Sequence, residues 1–234
     1  GLARFVRQTA SAILRVPIYA ATIAALYTPM RAFNDAIRQT IELDSQLTVL
    51  ERVSNGAIDV NKALEESIGI SERLGNVIGE VNEGLIAFSR QGYRGDDLTK
   101  ITEVATLMSN VSDLSVEETS GSITAAMKGF NIEADKSIHI VNALNEVDNN
   151  YAVTTRQLAE SIQRAAGTSS VYGSTLERNI GYTTAIAEVT RESGRIIGNS
   201  LKSIMSRISS VPEAVEELGA IGINVKDSSG EMKE

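Results

Sequence analysis

The sequence has 234 residues, 42% hydrophobic and 22% charged, enough apolar material for one large or two small folded domains and too much for wholesale disorder. Cysteine is absent and His139 is the sole histidine, which excludes disulfides, thiolate chemistry and the usual zinc ligand sets and leaves the redox compartment unreadable. The net charge of −8 is uneven: Arg4, Arg7, Arg15, Arg31 and Arg38 against Asp35 give the stretch up to Ile41 a balance of +4, too sparse for a dense basic patch, so no specific nucleic-acid readout is expected.

Residues 1–56 read as an apolar, basic, helical N-terminal segment. Within it, Val16 to Met30 is almost free of charge, but 15 residues interrupted by Pro17 and Pro29 fall short of the roughly 20 that cross a bilayer. A buried helix is the first reading and host-membrane contact through 13–33 the second. No small-residue cleavage site of a signal peptide stands out. Opening on Gly1 and closing on Glu234 in a polar run, the sequence reads as a piece of a longer chain.

Between Pro29 and Pro212 there is no proline, which suits many helices and disfavours a turn-rich β protein. Residues 57–210 read as a helical core. Ile70, Leu74, Val77, Val81, Gly84 and Phe88 alternate spacings of four and three, a heptad-like seam; Ile70, Leu74, Val77, Val81 and Phe88 are the expected helix–helix contact. Glycines at 69, 75, 79 and 84 weaken that helix by about 1 kcal/mol each relative to Ala, or allow close helix approach.

After the turn signal Gly92 to Asp96, the positions Ile101, Val104, Leu107, Met108 and Val111 mark one face of a further helix. Ser115 with Glu118 is a capping box, opening a helix that carries Ile123, Ala126, Met127 and Phe130 and stops at Gly129. A helix over 132–148 follows, with Ile138, Val141, Leu144 and Val147 in register. Thr154 with Gln157, and Ser174 with Glu177, have the same capping-box spacing. Their helices carry Leu158, Ile162 and Ala165, then Leu176, Ile180 and Ala187; another spans about 195–208 with Leu201, Ile204, Met205 and Ile208. Residues 211–234 form a tail: Pro212 opens a short helix that Gly219 ends, and the alternation Ile221, Ile223, Val225 before the turn Asp227 to Gly230 leaves room for a short β-hairpin.

Candidate chemistry is thin. His139, in the apolar run Ile138, Ile140, Val141, reads as an ordinary helical histidine, partly buried or on the surface. Glu192, Ser193, Gly194 is superficially similar to the catalytic glutamate segment of lytic transglycosylases, but the downstream Gly, Leu, Met, Gln stretch and the aromatic substrate contacts are missing. Leu218 to Gly222 lacks the strand and helix that a nucleotide loop needs. Asp96 and Asp97 have no calcium-loop spacing around them and fit better as a cap for the helix after Gly95. No catalytic residue, cofactor or metal is expected.

From about Asn61 to Lys233 the sequence resembles the core region of phage tail tape measure proteins. The resemblance rests on Leu98, Thr99, Lys100, Ile101, Thr102; on Asp113 to Glu118; on Gly129, Phe130, Asn131; on Ile140 to Val147; and on Asn149 to Val153. It continues through Gln157 to Arg164, Glu188 to Arg191, Ser193, Gly194, Ile197 to Lys202, and the tail Leu218, Gly219, Ile221 and Asp227 to Gly230. Asn142 departs from the acidic residue the family carries there, which puts only a local helix contact in doubt.

The resemblance implies a ruler: a protein in the lumen of the tail tube, around which tube subunits polymerise, and which leaves on infection and helps the genome cross the host envelope. It implies a homotrimer, partners among tail tube and tail tip proteins, and a place in the virion after assembly in the host cytoplasm. The fold expected is all-α, with short-to-medium amphipathic helices, elongated or in a parallel oligomer. Two alternatives stay open, the tape measure of a phage-like contractile injection particle and a helical coiled-coil signalling or adhesion protein. Capped helices alternating with turns fit the second less well than an ordinary helical domain.

Overall fold

The computed structural model describes residues 35–222, and among these all regular structure is helical. The chain divides into two compact units, Gly1–Ser45 and Gln46–Glu234. Of the first, residues 35–45 are described; they are helical and mostly exposed. The expected membrane-contact segment 13–33 lies outside the described residues, as does the expected hairpin apart from Ile221, which stands in an exposed turn. Among the described residues no helix is long and apolar enough to cross a membrane.

Residues 35–54 are helix α1, followed by α2 (Val60–Leu74), α3 (Ile78–Arg90), α4 (Gly95–Asn110) and α5 (Val116–Phe130). A single 3-10 turn at Ala134–Lys136 leads to α6 (Ile138–Asn150), α7 (Thr155–Val171), α8 (Leu176–Thr190), α9 (Gly194–Ser210) and α10 (Pro212–Ala220). The core of the second unit runs from Leu50 to Leu201, so it reaches back into the stretch 1–56 that the sequence sets apart. Phe88, Ile101, Ile123, Leu144, Leu158 and Ile162 are among its fully buried side chains, each stabilising the fold by about 1.5–3 kcal/mol. Phe88 meets the ring of Tyr93 edge-on at 6.1 Å, an aromatic contact in a core otherwise built from aliphatic and small residues.

Local signals start the helices as their chemistry dictates. Ser115 accepts from the Glu118 N–H while Glu118 accepts from the Ser115 N–H, and Thr154 with Gln157 forms the same reciprocal pair. The third box is one residue off: Thr175, not Ser174, caps α8 by accepting from the Arg178 N–H. Ser174 and Thr175 are adjacent hydroxyls, and it is Thr175 that reaches the Arg178 N–H. Asp96 and Asp97 do not cap α4 either. The N-cap is Arg94, and the two acids sit in the first turn, where they complement the helix dipole. On α4 the buried stripe is Leu98, Ile101, Ala105 and Met108, whereas Val111 is the exposed C-cap.

Gly129 does not stop α5 as the sequence suggests; it serves packing. Helix α5 runs through Gly129 and ends at Asn131, which takes the left-handed conformation at φ 54°. A Cβ on Gly129 would stand 2.7 Å from Ala166 Cβ and 2.9 Å from the Ala166 backbone, so the glycine lets α5 lie against α7. On the other side of α7, a Cβ on Gly194 would overlap the Gln157 carbonyl, and one on Gly198 would come 2.7 Å from the Ser161 carbonyl oxygen. Helix α7 is thereby held at close range between α5 and α9, its two most extensive neighbours.

Close packing of small residues leaves many buried polar atoms, and most are satisfied along or between helices. Thr119 donates to the Ala105 carbonyl at 2.9 Å, and the Ser161 and Thr183 hydroxyls meet at 2.8 Å. Ser67 lies 2.6 Å from Asn82 Oδ1, Asn82 Nδ2 donates to Gln46 Oε1, and Gln46 Nε2 donates to the Gly79 carbonyl. That chain of side-chain amides ties residue 46, the start of the second unit, to α2 and α3.

Candidate functional site

The expected seam falls on two helices rather than one. Gly75 stands at φ 77°, closes α2 with its N–H on the Ser71 carbonyl, and turns the chain before α3 starts at Ile78. A Cβ-bearing residue would resist that conformation; glycine does not. Ile70, Val81 and Phe88 are fully buried in the chain's own core, Leu74 is half-buried, and Val77 is 64% exposed at the head of α3. The sequence period continues across a break in the helix. The expected single helix through all five residues is therefore not the one this fold builds.

His139 is on the surface of α6, and its Nε2–H donates to Glu177 Oε1 across a gap of 2.9 Å to α8. That bond holds the Glu177 carboxyl below the usual carboxylate range. Glu118 is held low as well, first by the Ser115 backbone N–H and then by Arg156. These are structural pairs on exposed surface. Glu192, the residue similar to a transglycosylase acid, lies exposed in the turn between α8 and α9, where its carbonyl accepts from Gln157 Nε2. Among the described residues no group of three or more His, Cys, Asp or Glu side chains could hold a metal ion.

An open groove of about 480 Å3 lies between α6 and α8, lined by residues that include Val147, Tyr151, Ile180 and Gly181. A smaller polar hollow lies where α4 ends and α7 begins. There Asp148 accepts from both the N–H and the hydroxyl of Thr155, at 2.8 and 2.7 Å, and Arg156 donates to the Asp113 carbonyl. Val147 and Ile180, on the apolar stripes expected from the sequence, belong to the core and also line the groove, whereas Gly181 and Ala185 are not among the residues the sequence marks. Two small residues four apart, off the buried stripe of α8, were the signal available.

Comparison with known sequences gives the family of this helical chain. The sequence model described as phage-related minor tail protein matches residues 62–234. The chain belongs to that family. Its match coincides to within one residue at each end with the stretch Asn61 to Lys233 on which the resemblance was read. The tape measure protein of Pneumococcus phage Dp-1 is 19% identical over 211 residues, 89% of this chain and 18% of that protein. The chain thus spans less than a fifth of the length of this relative. No solved structure matches it. As a member of the minor tail family the chain is a phage tail component with an all-helical fold.

Proposed function

We propose that this chain is a segment of a tape measure protein, serving tail assembly by fixing tail length and leaving the tube when the genome is ejected. The observation that carries the reading is the relationship to the Dp-1 tape measure protein, which extends over nearly all of this chain while covering a small part of a much longer one. Length-setting needs no chemistry. A helix converts residues into distance at about 1.5 Å each. The partners in this reading are further copies of the chain, as a homotrimer, and tail tube and tip proteins; host-membrane contact would fall to 13–33. The working division is 1–56, 57–210 and 211–234.

In this reading the compact helical unit is the free state and an extended helix is the assembled one. The turn at Gly75 is the place where the two differ. If Gly75 to Val77 becomes helical, Ile70, Leu74, Val77, Val81 and Phe88 line one face and meet the same face of neighbouring copies. Density for this segment within the tube lumen, identified by a tag inserted at Gly56 and viewed by electron microscopy of intact tails, supports the reading. A tag found on the outer surface of the tube would exclude it.

A further inference from the structure

Helices α6 and α8 lie side by side without closing on each other. The floor of the groove between them is apolar, with Val147 and Ile180, and Gly181 and Ala185 form the open wall on α8. A Cβ on Gly181 would meet nothing within 4 Å, so the space above it is free. Three glutamates, Glu146, Glu177 and Glu188, border the groove, and its lining contains no lysine or arginine. Of the three, Glu177 already accepts from His139 Nε2–H, while the nearby arginines turn away from the groove, Arg178 to the Gly173 carbonyl and Arg191 to the Ala152 carbonyl.

We propose that the α6–α8 groove is a docking site for a helix of a partner tail protein, one that carries an apolar stripe flanked by lysine or arginine. An amphipathic helix laid in a groove uses apolar anchors at helical spacing, and the floor supplies their counterpart. The acidic border supplies the register and favours a basic partner. The lining runs from Glu177 to Glu188 on α8, about 16 Å of helical rise, and from Ala143 to Tyr151 beside α6, so the groove accepts two to three turns of such a helix. The same border repels nucleic acid and anionic lipid. Docking requires only that α6 and α8 be folded, so it stands apart from the length-setting reading.

The probe is a pair of labelled synthetic helical peptides of about four turns, both with leucine at i, i+3, i+4 and i+7, one filled out with lysine and the other with glutamate. Fluorescence anisotropy with the whole chain should show saturable binding of the lysine peptide and none of the glutamate peptide. Replacing the two border glutamates that do not bridge α6 and α8 (Glu146→Gln, Glu188→Gln) should weaken binding about fivefold, two exposed charge pairs acting together. Removing the same charge from α10 (Glu213→Gln, Glu216→Gln) should change it by less than about twofold. Gly181→Leu, which fills the groove and leaves every charge in place, should abolish it, and Ala185→Leu is the second variant if the first fails to fold. The proposal is overturned if the lysine peptide does not bind, if the α10 variant loses as much affinity as the border variant, or if binding survives groove filling in a protein with unchanged circular dichroism.

Discussion

Helical glycines in this chain stand in two different settings, and single substitutions separate them. At Gly194 and Gly129 the missing Cβ makes room for the α7 backbone, so Gly194→Ala should destabilise the fold by about 1–3 kcal/mol or more through forced helix separation. At Gly181 the helix interior has open space beside it, and Gly181→Ala should stabilise by up to about 1 kcal/mol from helix propensity alone. Opposite signs for one chemical change, read from urea unfolding midpoints, test the packing argument; equal signs contradict it. The Glu118 carboxyl belongs to the residue scale too. Its pKa is lowered by the Ser115 N–H, so its contribution is complete above the ordinary glutamate value and is lost as pH falls through the lowered one. Thermal stability should therefore fall on acidification below about pH 4, and Glu118→Gln should flatten that part of the profile.

The helices were legible where a side chain declares the start. The boxes at Ser115 and Thr154 are in place, and Ser115→Ala should cost about 1 kcal/mol, measured by thermal unfolding. What sequence could not show is where a period stops being a helix. Heptad spacing from Ile70 to Phe88 is indifferent to backbone conformation, and Gly75 can either continue a helix at a small cost or end it at positive φ. Tertiary contacts decided, by burying Ile70, Val81 and Phe88 on two helices. The groove between α6 and α8 was illegible for the opposite reason, because it is made by side chains that are small, and a hydrophobic pattern records only what is there. Gly75→Ala probes the turn from both sides. It should weaken the compact form by about 1 kcal/mol, through the strain of a Cβ at φ 77°, while favouring the straight helix by a similar amount. Sedimentation should then show more trimer in the variant than in the parent chain; a purely monomeric variant of reduced stability counts against the seam.

At the scale of the whole molecule, the second unit packs small-residue helices around a core threaded with buried hydroxyls and amides. The chain's scarcity of aromatics, at 4%, limits what the compact state gains from large buried rings. If the assembled state is extended, residues become length. The most direct measurement is the tail length of a phage carrying an in-frame deletion of Ala57 to Phe88, 32 residues of this segment. Micrographs should show tails shorter by about 48 Å, the helical rise of the residues removed. Tails formed at full yield and of unchanged length would contradict the tape measure reading of this segment.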